Sequence, residues 1–222
     1  MTGGNAAALV AVAVVPLIAL MLSAFVKTSV VMALLRNALG SPQAPPDLVV
    51  TGLALLLTVF VMTPVARDVI AAIERPTAVA PAPGAPPPYQ FDLDQAPPDG
   101  WLAAAERGAV PVRAFLVKHA HGDDRAAFAG VATELRGAPV ADDDLTVLAL
   151  AFVASELAEA FAIAFLVFLP FLLVDLIVGV ALAALGLPSM QPQTVALPVK
   201  LLLFVAVDGW RLLFVGLLRG YA

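Results

Sequence analysis

The sequence contains no cysteine, only two histidines among its 222 residues, and just 13% charged residues. Without cysteine, the chain can form neither a disulfide framework nor a thiolate metal site. No Ser/His/Asp arrangement, glycine-rich phosphate loop or zinc motif is present. No histidine lies in an apolar segment, so a metalloprotease or general-base site would lack its usual partner. The sequence therefore predicts no catalytic residue, no cofactor and no metal site, and the protein is not expected to be an enzyme.

What the chain has in excess is apolar sequence. Hydrophobic residues make up 61% of the chain, against about 45–50% in typical soluble domains, which indicates an integral membrane protein. The net charge of −5 lies in residues 67–144, which hold seven Lys/Arg against twelve Asp/Glu, and the remainder sums to zero. Because no basic patch forms, a nucleic-acid partner is not expected.

Four apolar segments could span or pack in a bilayer: residues 6–26, 48–66, 145–187 and 194–218. Each contains a proline, namely Pro16, Pro64, Pro170 and Pro198. This pattern favours bent helices packed on protein over straight rods in lipid. The third segment is about twice the ~20 residues of one span, which predicts a hairpin or two helices. The first segment has no positively charged residue before Lys27, so we interpret it as retained and not as a signal peptide.

The domain organisation follows from these segments. Residues 1–73 are expected to form an N-terminal helical hairpin with a loop at LLRNALG, and residues 74–100 a Pro-rich linker. Residues 101–144 predict short amphipathic helices with a turn at Gly122–Asp124. Residues 145–222 are expected to form C-terminal helical hairpins with a loop at 186–192. The predicted first loop, residues 27–47, carries Lys27 and Arg36, so the positive-inside rule places the N-terminus in the periplasm.

Two clusters of polar residues could carry chemistry. His119 and His121 lie near Asp123 and Asp124, but histidines two apart on a helix point about 200° away from each other. A solvated helix end therefore fits these residues better than a metal site.

The other cluster consists of charges inside apolar segments, which usually face a bundle interior, a water-filled path or a charged partner. Asp208 and Arg211 are spaced to pair within their own helix. Glu156 and Glu159 repel each other and need a cation, which could be Lys200, a basic residue of the first loop or one from a partner subunit. The full set is Glu156, Glu159, Asp175, Lys200, Asp208 and Arg211.

Three long motifs resemble those of the SctR/FliP family of export-apparatus proteins. The first, FVKTSVVMALLRNALGSPQAPPDLVVTGLALLLTVFVMTPV, covers residues 25–65. The second is SELAEAFAIAFLVFLPFLLVDLIV at residues 155–178, and the third is LPVKLLLFVAVDGWRLL at residues 197–213. The signature positions are Arg36, Asn37, Gly40, Pro45, Pro46, Pro64, Pro170, Pro198 and Trp210.

The resemblance implies an all-α membrane protein of kinked helical hairpins with a small helical periplasmic insert. Copies of such a protein assemble into a ring-like helical export gate, and we expect five copies, a pentamer. The gate lies within the secretion-system basal body in the bacterial inner membrane. The implied partners are the export-apparatus S, T, U and V subunits (flagellar Q, R, B and A) and the unfolded secreted proteins that pass through the gate. Asp175 would then meet its partner across a subunit interface.

Two departures from the family pattern bear on the site. Ala158 stands where the family usually has lysine, so a cation is missing from the acidic face of Glu156 and Glu159. Leu187, Pro188 and Ser189, followed by Met190, stand where the family commonly has a methionine run that closes the pore. We still expect these four residues to form the constriction. The alternatives are a flagellar export-gate homologue of the same family and a small ion-coupled transporter or channel that uses the intramembrane carboxylates.

Overall fold

The computed structural model describes residues 16–40, 45–74, 101–187 and 189–222. Within these ranges the protein is all-helical and has no strand, which confirms the predicted fold class. A helical stretch at 16–21 precedes a turn at 22–24. The helices that follow are α1 (Phe25–Leu39), α2 (Asp47–Glu74), α3 (Trp101–His119), α4 (Gly122–Arg136), α5 (Leu145–Ala184), α6 (Pro192–Ala206) and α7 (Gly209–Arg219).

The chain divides into two compact units, of which the first comprises Met1–Val61 and Val153–Ala222. In its described part, α1 supplies the largest share of the core, five of twelve buried residues, because apolar side chains recur along one face of the helix at spacings of three and four residues. They pack against α2, α5, α6 and α7. The buried cluster consists of Val31, Met32, Leu35, Ala38, Leu39, Val50, Leu57, Ala160, Phe171, Phe204, Leu213 and Leu217.

The second unit, Met62–Phe152, contains α3 and α4. Its apolar centre includes Phe115, whose ring centroid lies 5.6 Å from that of Phe152. Arg107 donates hydrogen bonds to the carbonyl oxygens of Ala72 (3.0 Å) and Ile73 (3.2 Å), which are among the last of α2. The predicted short helices are present, and the break between them falls at residues 120–121, directly before the predicted turn.

The predicted loop at residues 27–47 is wrong. Residues 25–39 form α1, and the LLRNALG motif is helical up to Leu39. Leucine, alanine and arginine favour helix, and Leu35 and Leu39 are buried in the core. Gly40 ends the helix at φ +77°, a left-handed conformation that glycine adopts without steric cost.

The expectation that residues 145–187 form a hairpin or two helices is also wrong. They form the single 40-residue helix α5, about 60 Å long at 1.5 Å per residue. The prediction relied on bilayer thickness alone, whereas the segment contains no glycine or turn cluster before Gly179 that would end a helix.

The prolines do not mark the sharp bend in the chain. Helices α2, α5 and α6 continue through Pro64, Pro170 and Pro198. The bend lies between α6 and α7, which meet at 61° around residues 207–208. Among the described residues, α2 and α5 are long and apolar enough to cross a membrane, and α6 with α7 would count as a third span if the bent pair is taken as one.

Between α5 and α6 the chain is irregular, as expected for a loop. Gly186, at φ +71°, donates to the carbonyl of Ala183, and the N–H of Leu187 donates to that of Leu182. These two bonds form a Schellman cap, which satisfies carbonyls at the end of the helix. Pro188 lies outside the described residues, as do residues 1–15, which carry the N-terminal prediction, and residues 75–100 of the predicted linker.

Candidate functional site

A cluster of buried charge lies where α1, α5 and the C-terminus meet. The Nζ atom of Lys27 lies 3.0 Å from Oε1 of Glu156 and 2.7 Å from Oε2 of Glu159. The side chains of Lys27 and Glu156 are each only 1% exposed. The hydroxyl of Tyr221 donates to the Glu156 carboxylate, and Lys27 Nζ lies 4.1 Å from the centroid of the Tyr221 ring. We call these four residues the Lys27 cluster.

Local sequence explains how the Lys27 cluster forms. Glu156 and Glu159 are three residues apart, so they share one face of α5. Lys27 lies in the first turn of α1, and Tyr221 follows the end of α7. A buried carboxylate is stable only if it is paired and hydrogen-bonded, and the lysine and the tyrosine hydroxyl meet that need for Glu156. The cluster therefore ties together three parts of the chain that are far apart in sequence.

A second, partly buried ion pair lies further along α5. Lys200 Nζ is 2.6 Å from Oδ2 of Asp175 and donates a 3.1 Å hydrogen bond to the carbonyl of Ala38. Ala38 belongs to the last turn of α1, where helix carbonyls have no partner within the helix. A cation there also interacts favourably with the helix dipole. We call Lys200, Asp175 and the Ala38 carbonyl the Lys200 cluster.

The two clusters hold α1 at both ends. Glu156 and Asp175 are separated by about 28 Å along α5, at 1.5 Å per residue, close to the ~30 Å hydrocarbon thickness of a bilayer. A third polar contact joins α1 to α2, where the hydroxyls of Thr28 and Thr58 lie 3.2 Å apart in the buried interface. Polar contacts therefore join α1 to α2, α5 and α6 in addition to its apolar packing.

The third charged pair lies at the corner between α6 and α7. Arg211 Nε is 2.7 Å from Oδ2 of Asp208, and both side chains are exposed. Asp208 is the only non-glycine residue with positive φ (55°) in the described ranges. Gly209, which follows it, is buried. The corner thus places an exposed ion pair at the break of an apolar helix pair.

The structure answers the question of the cation for Glu156 and Glu159. It is Lys27 of the same chain, a basic residue of the segment that the sequence placed in the first loop. Asp175 likewise pairs with Lys200 inside the chain. The sequence left Lys27 as one of several candidate cations, beside Lys200, Arg36 and a partner subunit, and the structure selects it. No pattern in the sequence pointed to Tyr221.

The other sequence candidates are dispersed. Arg36 pairs with Asp47 at the start of α2, and Trp210 packs edge-on against Phe204, with ring centroids 5.1 Å apart. The His119 ring packs at a tilt of 49° against Phe115, and Nδ1 of His121 lies 3.7 Å from Oδ2 of Asp124. No group of three or more metal-ligating side chains occurs in the described part of the chain.

The predicted constriction is exposed in the single chain. Leu187 is 42% exposed and Met190 is 44% exposed, and Ser189 between them is also exposed. The N–H of Met190 donates to the carbonyl of Leu187 at 3.2 Å, which curls the segment into a turn before α6 begins. Its role in a pore stays a prediction.

Comparison of the sequence with known proteins shows its family. The chain is 41% identical over 216 residues to the hypersensitivity response secretion protein HrcR of Ralstonia nicotianae, covering 96% of this chain and 94% of that protein. It is 42% identical over 208 residues to the flagellar biosynthetic protein FliP of Pectobacterium carotovorum subsp. carotovorum, covering 93% of this chain and 73% of that protein. The Yop proteins translocation protein R of Yersinia pestis is 37% identical over 213 residues, covering 93% and 90%. The FliP family profile matches residues 8–217, so the chain belongs to the FliP family.

Proposed function

We propose that the protein is a pore-forming core subunit of a type III secretion export gate, which passes unfolded proteins across the bacterial inner membrane. The family match over residues 8–217 carries this proposal. The relatives are named as secretion, translocation or flagellar biosynthetic proteins, so a role in an export apparatus is common to them. The proposed setting is the basal body, with the S, T, U and V subunits as neighbours.

The apolar surface of the chain supports assembly with other subunits. Phe161, Phe165, Leu166, Leu172 and Leu176 of α5 are all more than half exposed. Contiguous apolar patches larger than a few hundred Å² mark interaction or membrane surfaces, and α5, at about 60 Å, exceeds the ~30 Å that lipid can cover. A homo-oligomer, expected to be a pentamer, would cover this surface with protein.

The charged residues divide between two roles in this proposal. Glu156, Glu159, Asp175 and Lys200 hold the subunit together, because each pairs within the chain. Asp208 and Arg211 are exposed and remain available for contacts with neighbouring subunits. The same pairings weigh against an ion-coupled transporter, since all three carboxylates that such a protein would use are bound to lysines.

The constriction is proposed at the segment between α5 and α6, formed by Leu187, Pro188, Ser189 and Met190. In a ring of subunits, such loop tips could meet at the axis and line the path of the substrate. Non-helical backbone at membrane depth is tolerated when it is buried in protein or lines a water-filled path. The exposed Leu187 and Met190 side chains would then form an apolar ring.

Deletion of the gene in its own bacterium tests the proposal. Loss of secreted effector proteins, restored by the wild-type gene, supports an injectisome gate, whereas loss of exported flagellin supports the flagellar homologue, whose relative has nearly the same identity. The protein purified in mild detergent should run as a large oligomer, alone or with its S and T partners. Normal export in the deletion strain, with a monomeric or dimeric protein that takes up ions, would overturn the proposal in favour of a transporter.

A further inference from the structure

An apolar groove opens between α5, α6 and α7. It has a volume of about 290 Å³, and all of its lining side chains are apolar. Ile163, Val167 and Pro170 form the α5 wall, while Leu212 and Gly216 contribute from α7. A Cβ atom added at Gly216 would meet nothing within 4 Å, so the groove is open at this point.

The opposite side of α5 carries a ridge of phenylalanines. Phe161, Phe165 and Phe168 are 57%, 65% and 37% exposed. Their spacing of four and then three residues places them on one face of the helix. The groove-lining residues Ile163, Val167 and Pro170 follow the same spacing, shifted by two residues.

This shift of two residues determines where the ridge lies on α5 relative to the groove. Two residues correspond to about 200° of rotation and about 3 Å of rise along an α-helix. The ridge and the groove therefore lie on opposite sides of α5 and at nearly the same height. A neighbouring copy displaced sideways, with little movement along the helix axis, would bring its ridge to the groove of the first copy.

We propose that the Phe161–Phe165–Phe168 ridge of one copy docks in the α5–α6–α7 groove of the next copy. The proposal rests on the proposed function, because it concerns how the homo-oligomer is built. A contact between two different surfaces is heterologous, and it repeats from copy to copy to give a ring or a helical array.

The available area is sufficient for a specific contact. A whole phenylalanine side chain offers about 150–250 Å², and the ridge continues into Leu169, Leu172 and Leu176, which are partly exposed as well. At their exposed fractions these six side chains offer roughly 600 Å², which is more than the ~500 Å² that one partner contributes to an interface of ~1,000 Å². The absence of charged side chains from the groove matches the apolar ridge.

Cysteine cross-linking tests the contact, since the chain has no cysteine of its own. The double variant Phe165→Cys with Gly216→Cys, oxidised in membranes of cells that express the full secretion system, should give a ladder of disulfide-linked multimers on a non-reducing gel. Each single variant should stay monomeric. The control pair is Phe165→Cys with Val205→Cys, because Val205 is highly exposed on α6 but does not line the groove.

A filling substitution provides an independent measurement. Gly216→Trp should reduce the ratio of oligomer to monomer at least tenfold, whereas Val205→Trp should leave it unchanged. A cross-link from Phe165→Cys alone would show that two ridges meet, which overturns the proposal. An intact oligomer in which the double variant gives no disulfide-linked ladder would also overturn the proposed contact, but it would leave the proposed function standing. A wild-type protein that forms no oligomer at all would overturn both the contact and the proposed function.

Discussion

Lys27 illustrates how a single residue can decide the packing of a helix. It lies 1% exposed between two carboxylates that would otherwise repel each other. Removing one member of a buried ion pair costs more than the pair contributes, because the remaining charge stays buried without compensation. The contact with the Tyr221 ring adds a cation–π interaction. The Lys27 cluster therefore behaves as a unit, so replacing any one of its residues should destabilise the contacts of the others.

Replacing Lys27 with methionine tests that dependence. Methionine keeps the length of the side chain but leaves Glu156 buried without its cation, which costs about 3–5 kcal/mol in buried pairs. We expect a large drop in the melting temperature of the detergent-purified protein and loss of assembly. Lys118→Met, at an exposed lysine of α3, is the control and should melt like the wild type.

Charge reversal distinguishes the attraction between Lys27 and Glu156 from other effects of changing either residue. Glu156→Lys would place two cations side by side and should abolish assembly on native gels. The combined variant Lys27→Glu with Glu156→Lys restores opposite charges and should recover part of the melting temperature. A double variant no better than the single ones would contradict the pairing as the cause.

Asp144, which directly precedes α5, should make the stability of the protein depend on pH. The side chain and backbone N–H of Thr146 both donate to its carboxylate, and these hydrogen bonds lower the pKa of Asp144 to about 2. Because the pKa is lowered from 3.8, the stabilisation is full above about pH 4 and is lost as the pH falls towards 2. Asp144→Ala should thus melt below the wild type at pH 6, and the difference should shrink at pH 2.5. A constant difference between the two melting temperatures would contradict this role.

At the scale of the elements, Gly209 at the corner between α6 and α7 has the closest neighbour of the glycines in the described ranges. A Cβ atom at Gly209 would lie 2.3 Å from the ring of Phe204. That ring is itself fixed by the edge-on contact with Trp210 and by Phe171, whose centroid is 6.3 Å away. The 61° bend therefore depends on the absence of a side chain at this position.

Gly209→Ala should destabilise the protein by about 1–3 kcal/mol, the usual cost of overpacking a core. Gly216→Ala is the matched control on the same helix, because nothing lies within 4 Å of its added methyl group, and alanine favours helix over glycine. The melting temperature should fall for the first variant and stay level or rise for the second. Adding Phe204→Leu to Gly209→Ala should recover part of the loss, and equal melting temperatures for both alanine variants would contradict the steric argument.

The sequence specified helices better than the connections between them. The apolar run at 48–66 predicted α2, and the amphipathic pattern after residue 101 predicted α3 and α4. The two wrong predictions concern residues 27–47 and 145–187. The position of the LLRNALG motif between two apolar segments favours a loop, but its residues favour helix and only Gly40 breaks it. For α5, bilayer thickness limits the length of the helix only if the whole segment contacts lipid.

At the scale of the whole molecule, the sequence does not show which charged side chains pair with each other in the folded chain. The requirement that Glu156 and Glu159 find a cation followed from their charge and spacing, but the choice of Lys27 depends on how α1 crosses α5. Asp175 and Lys200 are 25 residues apart, and nothing in either motif indicates that they meet at the end of α1. The fold class, the family and the charged positions could be predicted, whereas the partners of the charges required the structure.

The proposed gate makes one further prediction, at the segment between α5 and α6. Leu187 and Met190 are the large apolar side chains of this segment that the structure describes, and both are exposed in the single chain. A narrow apolar ring can block ions by dewetting, and the flexible thioether of methionine can deform around a passing polypeptide and close again. Because neither side chain is buried, replacing both with alanine should leave folding and assembly intact while widening the ring. Cells that express the full gate with Leu187→Ala and Met190→Ala should therefore leak small solutes, measured as uptake of a normally excluded dye.

Leu185→Ala, at an exposed position at the end of α5, is the control and should keep the membrane tight. A tight membrane in the double variant, at wild-type levels of assembled gate, would place the seal on another segment or another subunit.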